Sequence, residues 1–266
     1  MRLIYFVLTF AATWAFWLAP GALPGSHQLG AGVVGTLFLF LGIFTPAFAA
    51  IAMTARAEGQ IGVAALIKQL FKWNVAARWY LFAVTYIVVI KLTAVLVNRV
   101  AFGAWPEFGA EPIVLMIAAT AFSLVTFGQS GEELGWRGFA LPKLADRIGY
   151  GWAAIVIGVI WAAWHYPLFF MDGVARPGYS ILLFTIQVTG ISVAVTWLYV
   201  RTGGSLWLTM LMHSAVNNLG PIVRTADRAA DDPLTLDAPP MVWITALLLW
   251  VPATYFLVRM PPTRTK

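Results

Sequence analysis

Apolar residues run along this chain in long blocks, and short polar clusters interrupt them at intervals. Each block is about as long as the roughly 20 residues a helix needs to cross a hydrocarbon core about 30 Å thick. Eight such blocks can be read, near residues 3–18, 33–53, 79–97, 113–129, 152–170, 179–200, 206–219 and 241–258. They predict an all-α polytopic membrane protein with about eight transmembrane helices. The seventh block is short, and its assignment rests partly on the polar residues it carries. Only Arg2 precedes the first apolar run, and no small-residue cleavage site follows it, so that block reads as an uncleaved anchor.

The basic residues set the expected orientation, because lysine and arginine collect in cytoplasmic loops. Arg56, Lys68, Lys72 and Arg78 follow the second block, and Arg137, Lys143 and Arg147 follow the fourth. Arg201 follows the sixth block, and Arg259, Arg264 and Lys266 follow the eighth. The last outer loop carries Asp227, Asp231, Asp232 and Asp237 against Arg224 and Arg228. Both termini therefore read as cytoplasmic, and the protein as a multi-pass component of the cytoplasmic (inner) membrane. Ile67, Leu70, Phe71 and Trp73 alternate at helical spacing with Lys68 and Lys72, which predicts an interfacial helix near 61–73. The expected organisation is one domain with three parts: N-terminal helices in 1–111, a motif-bearing core in 112–220, and an outer loop with the last helix in 221–266.

Composition sharpens this picture. The chain is 61% hydrophobic and only 11% charged, against roughly a quarter charged in soluble domains. Its net charge of +6 follows from topology and anionic headgroups, so no nucleic-acid partner is expected. There is no cysteine, which excludes disulfides, thiolate zinc ligands and thiol catalysis. Any chemistry must come from oxygen and nitrogen groups.

An ionisable side chain at the bilayer centre costs on the order of 3 kcal/mol, so each one within a block needs a reason. Three places stand out: "SGEELGWRG" from Ser130, "WAAWHYP" from Trp161 and "LMHSAVNN" from Leu211. A hairpin turning near Ile148 or Gly149 would set Glu132 and His165 at similar depth, each about 20 Å from the turn at 1.5 Å per residue. That arrangement requires the fourth helix to continue past Glu133. His213 and Asn217 are four apart and share a helix face at a comparable depth. Glu133 and Arg137 are also four apart and can form an ion pair, which leaves Glu132 facing elsewhere and free for chemistry. Taken singly, these residues read equally well as a solvated loop or as polar packing between helices. Their convergence at one depth points to a site. Lys91 reads as a snorkelling or paired lysine, and His27 lies alone in an outer loop.

In this order the three clusters resemble the motifs EExxxR, FxxxH and HxxxN of the CPBP family, which groups CAAX prenyl endopeptidases with bacteriocin-processing and immunity (Abi) proteins. Here they read Glu132-Glu133-Leu134-Gly135-Trp136-Arg137, Trp161-Ala162-Ala163-Trp164-His165 and His213-Ser214-Ala215-Val216-Asn217. Trp161 replaces the pattern's phenylalanine. The resemblance covers roughly residues 112–220 and implies an intramembrane endopeptidase acting on a peptide or membrane-associated protein, prenylated or not. On that reading Glu132, assisted by His165, activates water, and His213 and Asn217 stabilise the oxyanion. Glu133, Arg137 and Trp161 support them. No cofactor is required in this version. A metal-dependent version, with Glu132, His165 and His213 as zinc ligands, uses nearly the same residues. Two further readings compete. Gly128-Gln129-Ser130-Gly131 spells a GxSG serine motif with His213 as its partner, and a non-catalytic immunity or partner-binding protein, or a proton-relaying transporter, would also carry buried carboxylates.

Overall fold

The computed structural model describes residues 3–22, 28–126, 128–171, 180–224, 232 and 234–262. His27, Asp227, Arg228 and Asp231 lie outside the described residues. Nine α-helices form among those described: α1 (Ile4–Ala22), α2 (Gly32–Lys68), α3 (Ala77–Phe102), α4 (Ile113–Val125), the short α5 (Ser130–Glu133), α6 (Leu141–Trp164), α7 (Ile181–Arg201), α8 (Leu206–Leu219) and α9 (Pro240–Arg259). A seven-residue π-helical stretch, Leu134–Ala140, joins α5 to α6.

Every predicted apolar block coincides with a helix, but the crossings are unequal. Six helical runs are long and apolar enough to cross a membrane. Helices α4 and α8, with 13 and 14 residues, reach only about 20 Å at 1.5 Å per residue. They pack against each other, with the Ser214 hydroxyl donating to the Thr120 carbonyl at 3.0 Å. Helix α7 is the central one, since 67% of its apolar window is buried against 28–44% for the other long helices. It packs on α6, α9 and α8.

The fourth block does not continue as one helix. Helix α4 stops at Val125, where the Gly128 N–H closes back on the Ser123 carbonyl at 2.8 Å in the six-to-one pattern that ends helices. The Ser123 hydroxyl also donates to Gln129 Oε1 at 2.8 Å. A new helix then opens at Ser130. The glutamates therefore begin a helix of their own, and α4 is freed to lean on α8.

The chain reverses at Gly149, where φ is 76° and ψ 160°, as the hairpin reading predicts. Only glycine adopts this conformation readily, and a side chain there would also strike the Pro262 carbonyl. The reversal is required by the contact between Glu132 and Trp161, which a straight helix would hold about 44 Å apart. A second break at Gly59 (φ 65°) sets off the segment read as interfacial, which is helical as far as Phe71. It is tied to the turn between α7 and α8: Lys72 Nζ donates to the Gly203 carbonyl and the Ser205 hydroxyl to the Lys72 carbonyl, both at 2.6 Å. Ile61, Phe71 and Trp73 remain exposed on it. Lys91 neither pairs nor reaches open surface. It is 8% exposed, with no ion pair among the described residues, because α8 and α9 close over that face of α3.

Candidate active site

The helix carrying both glutamates is positioned by what its sequence lacks. Gly131 and Gly135, four apart, present one face without side chains to α2. A Cβ at Gly131 would lie 2.7 Å from the Ile43 carbonyl oxygen, and one at Gly135 2.6 Å from the Pro46 carbonyl carbon. Small residues at this spacing let two membrane helices approach backbone to backbone, which gains dispersion contacts where no hydrophobic effect operates. Gly135→Ala is therefore expected to destabilise the fold by about 1–3 kcal/mol, the usual cost of overpacking, because it meets the backbone and the ring-bound Cβ of Pro46, which cannot swing aside. A melt in detergent compared with wild type measures this.

Two residues beyond the π-helical stretch stands Pro142, which has no N–H for the Gly138 carbonyl and would crowd it in a regular α-helix. The π-helical turn widens the backbone before it, and the Leu141 N–H bonds instead to the Trp136 carbonyl. Such insertions recur at functional sites because they rotate the side chains on either side relative to each other.

Glu133, Arg137 and His213 meet through hydrogen bonds, while Glu132 and His165 each bond to Trp161. Glu133 and Arg137 are fully buried, and Arg137 Nη1 donates to Glu133 Oε1 at 2.9 Å. The same oxygen accepts from His213 Nδ1 of α8 at 3.0 Å. Glu133 thus joins an arginine on its own helix to a histidine 80 residues away. Glu132, 8% exposed, faces the other way and accepts the indole N–H of Trp161 on α6 at 2.6 Å. The Trp161 ring lies under the Arg137 guanidinium, 4.4 Å from its carbon, and meets the His213 ring edge to face at 5.1 Å. This cation–π contact covers a guanidinium whose Nε and Nη2 find no acceptor among the described residues.

His165 sits at the C-terminus of α6, half-buried, and its Nδ1 is 2.8 Å from the Trp161 carbonyl. A carbonyl can only accept, so Nδ1 carries the hydrogen and the neutral ring keeps its lone pair on Nε2. Trp17, Trp161, Trp164 and Phe184 surround the imidazole with ring centroids 4.6–6.4 Å away. Helix α1 secures this wall: the Trp14 indole donates to the Trp164 carbonyl at 3.1 Å, and the Trp164 indole donates to the Thr13 hydroxyl at 2.7 Å. No hydrogen bond joins Glu132 to His165 among the described residues; each bonds instead to Trp161, through its indole N–H and its backbone carbonyl.

Asn217 is exposed one turn beyond His213 and makes no hydrogen bond among the described residues. Its neighbour Asn218 donates to the Ser214 carbonyl at 2.8 Å. Ser130 of the GxSG stretch is buried, but no hydrogen bond links it to His213 or His165 among the described residues. Glu132, His165 and His213 do not fit a zinc ion as arranged: no three His, Cys, Asp or Glu side chains among the described residues are grouped so that they could hold a metal.

Residues 109–219 match the family model of type II CAAX prenyl endopeptidase Rce1-like proteins. A curated protein of Methanococcus maripaludis, CAAX prenyl protease 2, is 24% identical over 233 residues, covering 80% of this chain and 82% of its own length. The chain is similar to this family over that region. It is a peptidase and a multi-pass membrane protein. All three motifs fall inside the matched region, whereas α1, α2 and α3 lie before it. Those helices matter to the site nonetheless, because α2 seats the glutamate helix and α1 holds the wall behind His165. Sequence reasoning treated Trp161 as an aromatic stand-in and missed its indole N–H. The available signal was chemical: among aromatic residues at that position, tryptophan brings a buried donor that must find an acceptor.

Proposed function

We propose that this Rce1-like peptidase hydrolyses a peptide bond in a prenylated, membrane-associated substrate, using water activated by Glu132 and His165. The observation that carries the reading is that Trp161 bonds to both groups, its indole N–H to Glu132 and its carbonyl to His165 Nδ1, against the buried Glu133, Arg137 and His213 cluster. The prenyl group comes from the name of the Methanococcus maripaludis relative, a CAAX prenyl protease.

In this mechanism a water between Glu132 and His165 attacks the scissile carbonyl carbon and gives up a proton to the pair. The carbonyl oxygen becomes an oxyanion that accepts hydrogen bonds from Asn217 and from Nε2 of His213, which carries a proton in this step because Nδ1 is engaged by Glu133. The tetrahedral species collapses as the C–N bond breaks, and the stored proton passes to the departing amine. A carboxylate and an amine leave, and no covalent enzyme intermediate forms. Glu133 and Arg137 hold His213 from behind, which keeps the donor in place without reorganisation during the reaction. Exposure of Asn217 suits a group that meets its partner only when substrate is bound. The basic loops support a cytoplasmic-side opening in the inner membrane.

The test is cleavage of a farnesylated peptide ending in a CAAX sequence by the purified protein in lipid vesicles, with the unprenylated peptide as comparison. Cleavage of the farnesylated peptide that persists in 1,10-phenanthroline is expected; loss of activity to the chelator and its return with zinc would replace this mechanism by a metal-dependent one. Asn217→Ala is expected to lower kcat by about 10²–10³ with little change in KM, as removal of an oxyanion donor does elsewhere. Steady-state kinetics on the same peptide checks this.

A further inference from the structure

We propose that Trp161 is a positioning residue that sets the two water-activating groups relative to each other, through its indole N–H on one side and its backbone carbonyl on the other. This rests on the reading that Glu132 and His165 activate water.

The indole N–H is the only hydrogen-bond donor to Glu132 among the described residues. At 2.6 Å it is a short, charge-assisted contact on Oε2, and Oε1 has no hydrogen bond among the described residues. The carbonyl of the same residue takes the Nδ1 hydrogen of His165 at 2.8 Å and so keeps Nε2 available. The ring itself cannot turn. It is 4% exposed, with the Arg137 guanidinium on its face and the His213 ring against it. A phenylalanine, the residue of the family pattern, would fill part of the space but offer no donor, so Glu132 would lose its partner and regain side-chain freedom. In this chain the ring at the second motif therefore has a polar duty that its position in the pattern does not disclose.

The decisive variant replaces Trp161 with 3-benzothienylalanine, in which sulfur takes the place of the indole N–H and the shape is retained. It is assayed beside Trp161→Phe in the full-length protein in vesicles, on the farnesylated peptide. Both are expected to lower kcat about tenfold to a hundredfold, the scale of a misplaced catalytic group, with KM and melting temperature of the benzothienyl protein unchanged. A benzothienyl protein with wild-type kcat, or one that loses rate only through KM or stability, overturns the proposal. Glu132→Gln is measured alongside. If it cleaves at the wild-type rate, the water-activation reading falls and the proposal with it; if it is inactive while the benzothienyl protein is fully active, only the positioning role falls.

Discussion

Replacing Glu132 by glutamine is expected to reduce cleavage by about 10²–10⁴, the range that a positioned general base contributes, while the protein folds and inserts as before. The substitution is a clean one here. Glutamine has the same length, and its amide oxygen can take the place of Oε2 as acceptor of the Trp161 indole N–H, so the contact at 2.6 Å has a successor. What disappears is the carboxylate's ability to take a proton from water. Rates on the farnesylated peptide measure the effect directly, and mapping of new protein termini in membranes carrying wild type or Glu132→Gln measures it on natural substrates. Termini present only with wild type are the expected outcome. Ser130→Ala provides the contrast: it is expected to retain activity, because Ser130 has no hydrogen bond to His165 or His213 among the described residues. An inactive Ser130→Ala protein with an active Glu132→Gln protein would transfer the chemistry to the GxSG serine.

The largest loss of stability is expected from Arg137→Leu, about 3–5 kcal/mol, because it strands the Glu133 carboxylate in a dry interior. Both partners are fully buried, so solvent offers little relief, and among the described residues His213 remains hydrogen-bonded to Glu133 Oε1. Removing both charges should be far milder than removing one. The double variant Glu133→Leu with Arg137→Leu replaces a buried pair by apolar groups, and such exchanges are often neutral or stabilising. It is nonetheless expected to be inactive, since His213 Nδ1 then has no acceptor to hold the ring. Unfolding in mixed micelles orders the three proteins by stability, and the peptide assay shows whether activity follows. A double variant as unstable as Arg137→Leu alone would show that the pair's charges are not what the interior responds to.

Much of the site could be read from the sequence because its residues break the local hydrophobic pattern. Glu132, Glu133, His165 and His213 stand out in apolar blocks, and the four-residue spacing of Glu133 and Arg137 was enough to anticipate their pair. The turn at Gly149 was legible for a similar reason, since equal-length apolar runs on both sides leave few places to reverse. The break between Val125 and Ser130 was not. Nothing in that stretch is charged, and a helix ending inside an apolar block depends on local hydrogen bonds such as Gly128 to Ser123 that hydropathy does not register. The π-helical turn before Pro142 escaped for the same reason.

Sequence by itself determined that this chain is helical, that it belongs in a membrane, and which few polar residues need explaining, because burying polarity in hydrocarbon is costly wherever the helix goes. Tertiary structure alone decided who meets whom. It assigned Glu133 to His213 across 80 residues, set α2 against the glutamate helix through Gly131 and Gly135, and turned Trp161 from an aromatic filler into the residue that touches both Glu132 and His165. Those outcomes depend on helix rotation and close backbone approach, and packing between helices fixes both at distances that no single segment encodes.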